Sequence, residues 1–130
     1  MLYIIVKLTR RIQCFLFGNK AWDSRHYLFH LAWRMPMEEI RRRLIPLCYH
    51  YNPFSITYRG QIWTVRRLDQ DGIHQYHLRF YYENGRTRVS GHYEMDPTIF
   101  PVQHFQGLDL RQLEEQERLK IQWALIRGEL

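Results

Sequence analysis

Cysteine is scarce: Cys14 and Cys48 are the only two in 130 residues. They lack the paired spacing of a thiolate zinc site. One pair in a chain rich in apolar residues reads as reduced thiols, not as a disulfide scaffold. Lysine is scarce too, with three against sixteen arginines. No apolar run approaches the ~20 residues that cross a bilayer. The opening MLYIIVKLTRR carries its charges after the apolar stretch, the reverse of a secretory signal. These features together favour a cytoplasmic protein without a membrane span. Glycine-rich phosphate loops, a GxSxG elbow, a cysteine nucleophile in a recognisable setting and a carboxylate cluster suited to Mg²⁺ are all missing. No cofactor is expected, and the balance leans away from an enzyme.

What is present is globular. Hydrophobic residues make up 45%, charged residues 25% and aromatics 15%, with four Trp. A chain of this size builds one core, so residues 1–130 are read as a single domain. Net charge is +6 and unevenly spread. Residues 1–50 hold nine Lys/Arg and three acids, residues 51–95 six and four, and residues 96–130 four and six. A basic front half attracts polyanions over about a Debye length. Arginine adds a planar fork that grips phosphate or carboxylate.

The region 54–95 carries the clearest signal. Four short runs, FSITY, QIWTVRRL, HQYHLRFYY and RTRVSGHYEM, are separated by Arg59-Gly60, Asp71-Gly72 and Asn84-Gly85. Such dipeptides supply the positive φ that tight hairpins need. Centring the last turn on Asn84-Gly85 pairs Tyr82 with Thr87, Phe80 with Val89, Leu78 with Gly91 and Tyr76 with Tyr93. The opposite face then pairs Tyr81 with Arg88, Arg79 with Ser90 and His77 with His92. Centring the second on Asp71-Gly72 sets Trp63 against Phe80, Val65 against Leu78, Thr64 against Arg79 and Arg66 against His77. Centring the first on Arg59-Gly60 sets Ile56 against Trp63 and Phe54 against Val65. A slip of one residue would scramble this sorting, so a four-stranded antiparallel meander is expected.

Helices are expected on either side. MPMEEIRRRLIPL starts at Pro36, places Glu38 and Glu39 at its positive end and Arg41, Arg42 and Arg43 toward its negative end, and stops at Pro46. The C-terminal segment, about 109–127, has Asp109 as N-cap, a Glu114–Arg118 pair, a stripe of Leu110, Leu113, Ile121, Ala124 and Leu125, and Gly128 as stop. RHYLFHLAWR reads both ways. Period two aligns Tyr27, Phe29, Leu31 and Trp33, whereas Asp23 or Ser24 caps a helix lined by Leu28, Leu31, Ala32 and Met35. The cap and the length tip it toward helix. Residues 2–9 suit strand or helix equally, and 96–108 form a loop.

The fold class is therefore α+β, with helices packed on one face of the meander. The apolar face holds Phe54, Ile56, Trp63, Val65, Leu78, Phe80 and Val89. The second face is expected to be wet and holds Ser55, Thr57, Thr64, Arg66, His77, Arg79, Tyr81, Arg88, Ser90 and His92.

That second face is the main candidate site. Arg66, Arg79, Arg88, His77, His92 and Tyr81 would form a platform for phosphates and bases, although no RNP-type aromatic motif accompanies it. Arg41, Arg42 and Arg43 are a secondary candidate for phosphate contact. If the chain were an enzyme, His77 and His92 would serve as general base and acid in ribonuclease-like cleavage. A metal would need a third ligand, and only Glu94 faces the same way, so no metal is expected. His26 and His30 lack the Glu of a zinc-protease helix. The leading expectation is a small basic binding or regulatory protein engaging nucleic acid or an acidic partner. The alternative is an interaction module using Trp22, Trp33 and Tyr49 to Tyr51.

Overall fold

The computed structural model describes residues 26–55, 58, 60–99 and 111–127. Expectations for residues 2–9, Cys14, Trp22, Ile56, Thr57, 100–108, Asp109, Leu110 and Gly128 lie outside these. The architecture is α+β. Strands are β1 (Tyr27–Leu31), β2 (His50–Tyr51), β3 (Gln61–Leu68), β4 (His74–Glu83), β5 (Arg86–Met95) and β6 (Arg111–Gln112). The helices among the described residues are α1 (Met37–Leu44) and α2 (Glu115–Ile126). The antiparallel sheet runs β1-β5-β4-β3-β2, with β6 also paired to β5.

The β3-β4-β5 register follows the turn chemistry. Asn84 at φ 53° and Gly85 at φ 74° make the last hairpin, and Gly72 at φ 71° helps make the one before. Tyr82 pairs Thr87, Phe80 pairs Val89 and His77 pairs His92. Trp63 pairs Phe80, Val65 pairs Leu78 and Arg66 pairs His77. All are the expected partners.

The meander is nevertheless a larger sheet than expected. Phe54 and Ser55 are not in a strand. The partner of β3 is His50–Tyr51, with Tyr51 rather than Phe54 opposite Val65. The connection to β3 is longer than a two-residue turn, which frees Phe54 to lie against Arg66, 5.0 Å from ring centroid to guanidinium. Residues 27–31 are a strand, not a helix. A ten-residue β5 leaves an edge of unpaired backbone groups, and pairing that edge outweighs a local cap. β1 covers it at Thr87–Ser90 and β6 at His92–Tyr93. Residues 111–112 are thus drawn into the sheet, and α2 starts later than expected. Glu114 is its N-cap, and Arg118 pairs with Glu115 instead.

The core lies between the sheet and the two helices. Met35, Ile40, Leu44, Ile121 and Leu125 pack with Leu31, Val65, Leu78, Phe80 and Val89 in one buried cluster. Each such aliphatic side chain contributes about 1.5–3 kcal/mol of burial. Pro36 precedes α1, which gives way to a 3₁₀ turn at Ile45–Leu47. Thr87 Oγ1 accepts from Met35 N at 2.9 Å and donates to Trp33 O at 2.7 Å, which fixes the β1-α1 link. Among the described residues, no helix is long and apolar enough to cross a membrane.

Candidate functional site

Alternation along β3, β4 and β5 brings the expected polar residues onto one face, but that face is not wet. His77, Arg79, Tyr81, Arg88, Ser90 and His92 are all buried, as are Ser55, Thr64, Gln75, Glu94 and Asp96. Arg66 is half-buried. Among the described residues, Phe54 lies against Arg66, Tyr58 lies under Arg79 at 4.3 Å and His26 stands 4.7 Å from His92. Phe54 and Tyr58, which follow β2, and His26, which precedes β1, thus lie against this face. A polar face can be covered in this way only when its groups satisfy one another.

They do so largely through one chain of contacts. Ser55 Oγ donates to Thr64 Oγ1 at 3.1 Å. Thr64 Oγ1 is 2.8 Å from His77 Nε2, and His77 Nδ1 is 3.2 Å from Glu94 Oε1. Gln75 Nε2 donates to the same Glu94 oxygen at 2.9 Å, while Glu94 Oε2 is 3.0 Å from His92 Nε2. Arg66 bridges Gln75 and Asp96, both at 3.1 Å. Burial, and then the nearby Arg79 charge, hold the His77 imidazole well below its usual range. His77 is therefore neutral, with Nδ1–H directed to Glu94 and Nε2 accepting from Thr64. Burial likewise raises the Tyr81 phenol. Among the described residues, His92 Nδ1 is buried without a hydrogen-bond partner.

This corrects the open-platform expectation in physical terms. The six candidate residues come together, but as a sealed polar layer. Neither imidazole of the His77–His92 pair is open to a phosphodiester. Arg79 and Arg88 rest on Tyr58 and Tyr81, each at 4.3 Å, instead of facing solvent. The Arg41–Arg43 run is engaged within its own helix: Arg41 with Glu38 at 2.8 Å, Arg42 with Glu39 at 3.7 Å and Arg43 with Glu39 at 2.7 Å. Of the other aromatic candidates, Tyr49 is buried whereas Tyr51 and Trp33 are exposed.

A different surface emerges where β1 meets the β4-β5 turn. Tyr27 is 41% and Trp33 42% exposed, and Arg34 and Arg86 are exposed as well. Tyr27 Oη and His30 Nδ1 are 2.8 Å apart. Arg34 lies over the Tyr82 ring at 4.3 Å. The His30 imidazole is lowered by burial and then by Arg86, which places that cation in the same group. Sequence reasoning did not find this surface, because it depends on β1 lying beside β5. Glu94, Gln75 and Asp96 were also undervalued. Their alternation was readable, but their role depends on the cover.

The chain matches no family model, no curated protein and no solved structure.

Proposed function

We propose that this is a small basic binding protein that engages single-stranded nucleic acid through the surface at the β1 end of the β4-β5 hairpin. The observation that carries the reading is that Tyr27 on β1, Trp33 and Arg34 just after it, and Arg86 at the start of the neighbouring β5 are all exposed. Flat rings offer stacking to any base, and guanidinium groups track the phosphates between them. The net charge of +6 draws a polyanion to the chain. The buried polar layer stiffens the sheet beneath and makes no contact with the ligand.

The test is anisotropy of labelled single-stranded RNA and DNA across a salt series. Trp33→Ala should weaken binding by roughly 5- to 150-fold, the ~1–3 kcal/mol lost with one stacked base. Arg34→Ala with Arg86→Ala should flatten the logarithmic salt slope by about 1.4, or ~0.7 per lost phosphate contact. Variants that bind as tightly as the parent, with an unchanged slope, would remove the reading.

A second reading, assembly with another protein, has its own observation. Leu119, Trp123 and Ile126 on the outer side of α2 are each about half exposed. A complex formed there would tolerate salt and be lost in Trp123→Ser, as read by light scattering of the mixture.

A further inference from the structure

We propose that His77, His92 and Glu94 form a buried site for one divalent transition-metal ion of the zinc class. These side chains come from neighbouring strands at matched register: His77 lies opposite His92, and Glu94 is two residues further along β5. One ligand atom from each lies within 4.8 Å of the other two. The closest approaches are 3.2 Å between His77 Nδ1 and Glu94 Oε1 and 3.0 Å between His92 Nε2 and Glu94 Oε2. In a tetrahedral site with bonds of ~2.0–2.1 Å, adjacent ligand atoms stand about 3.3 Å apart. Each imidazole already meets one Glu94 oxygen near that spacing, and the single-atom set, which lies within 4.8 Å, must draw in by up to about 1.5 Å to share an ion at that spacing.

The surroundings match what metal ligands require. A ligating imidazole characteristically directs its second nitrogen to a fixed polar group. His77 Nε2 meets Thr64 Oγ1 at 2.8 Å, and Thr64 is held in turn by Ser55. Gln75 fixes the Glu94 carboxylate at 2.9 Å. The rings of His77 and His92 cross edge-on at 77° with centroids 5.0 Å apart, and ligation through His77 Nδ1 moves its proton to Nε2, where Thr64 Oγ1 can accept its hydrogen bond. Among the described residues His92 Nδ1 is buried without a hydrogen-bond partner, so of the two imidazoles it is His77 whose second nitrogen is fixed. Two histidines and one carboxylate leave a coordination position for water, a composition that zinc, iron(II) and cobalt(II) all accept.

Charge sets the expected affinity. The Arg66 guanidinium is neutralised by Asp96 at 3.1 Å. Arg79 sits two residues from His77 on the same face of β4, over Tyr58, and its charge acts on the His77 ring and so opposes a cation there. Removing that charge should therefore tighten the site, an effect that a purely structural role for the cluster would not produce.

The test uses chelator-treated full-length protein titrated with Zn²⁺ and, for its visible spectrum, Co²⁺. One equivalent should bind, the thermal midpoint should rise with ion concentration, and Co²⁺ should give the intense bands of a tetrahedral site. Glu94→Gln, which keeps the side-chain shape, should weaken binding at least tenfold, and Arg79→Gln should strengthen it severalfold. Should either variant fail to fold, imidazole ¹⁵N spectra of the parent decide: Zn²⁺ should move the ring signals of His77 and His92 and leave those of His50 and His74 in place. Absence of binding by the parent would overturn the proposal. Binding that Glu94→Gln leaves unchanged, or that moves other histidines instead, would overturn it equally.

Discussion

Tyr49 donates a 2.6 Å hydrogen bond to Glu117 Oε1 across 68 residues of sequence, and Arg67 reaches the same oxygen at 2.6 Å. The turn after α1, the C-terminal end of β3 and the first turn of α2 are thereby fastened at one carboxylate. Arg67 also lies over the Tyr76 ring at 4.3 Å. Tyr49→Phe leaves Glu117 with Arg67 as a partner and should cost about 1–2 kcal/mol. Glu117→Ala strands Arg67 and the Tyr49 hydroxyl together and should cost about 2–4 kcal/mol, below the figure for a fully buried pair because part of Arg67 reaches water. Urea unfolding of the three proteins checks this order.

The same contact predicts an alkaline limit. Burial, and then the Glu117 charge, raise the Tyr49 phenol far above its ordinary value. A group whose folded pKa is raised binds its proton more tightly when folded. Its contribution is complete below the unfolded pKa of about 10 and declines as pH rises beyond it. Stability should fall steadily above about pH 10, and Tyr49→Phe should fall less steeply. Equal slopes for the two proteins would place the alkaline sensitivity elsewhere.

Gly91 is predicted to be intolerant of even a methyl group. A Cβ there would stand 2.6 Å from Leu78 Cδ2 and 2.8 Å from His77 O. The leucine methyl can move, but the carbonyl belongs to the paired strand and cannot. Gly91→Ala should therefore cost about 1–3 kcal/mol, and adding Leu78→Ala should not restore it. Thermal unfolding of the single and double variants distinguishes this backbone clash from simple crowding.

The parts of the fold that the sequence discloses are those decided locally. Asn84-Gly85 and Asp71-Gly72 set two hairpins, and period-two alternation then assigns the side chains of 63–68, β4 and β5 to a face. What it does not disclose depends on distant partners. Tyr27–Leu31 carries the pattern of a strand as well as a helix cap, and only the open edge of β5 decides between them. Arg59-Gly60 resembles the other turns, yet the chain pairs β3 through His50–Tyr51 instead. Alternation puts His77 beside His92 but is silent on what lies above them. A covered polar face and a wet one have the same sequence pattern, so the candidate residues were legible and their burial was not.

Asp71 provides a local test of the β3-β4 turn. Its Oδ1 accepts from the Ile73 and His74 amides at 2.8 and 3.0 Å, and its Oδ2 lies 2.6 Å from His74 Nδ1. The amide bonds from His74 and then Ile73, followed by the His74 ring, lower the carboxyl to about 2. A depressed carboxyl binds its proton less tightly when folded. Its contribution to the turn is complete above the unfolded pKa of about 4 and is lost as pH falls toward 2. The Ile73 and His74 amide resonances should therefore titrate together with a midpoint of about 2. Asp71→Asn should abolish that titration while keeping one amide acceptor, and Asp71→Ala should leave both amides exchanging rapidly with solvent. A midpoint close to 4 would mean that the carboxylate does not cap the turn in solution.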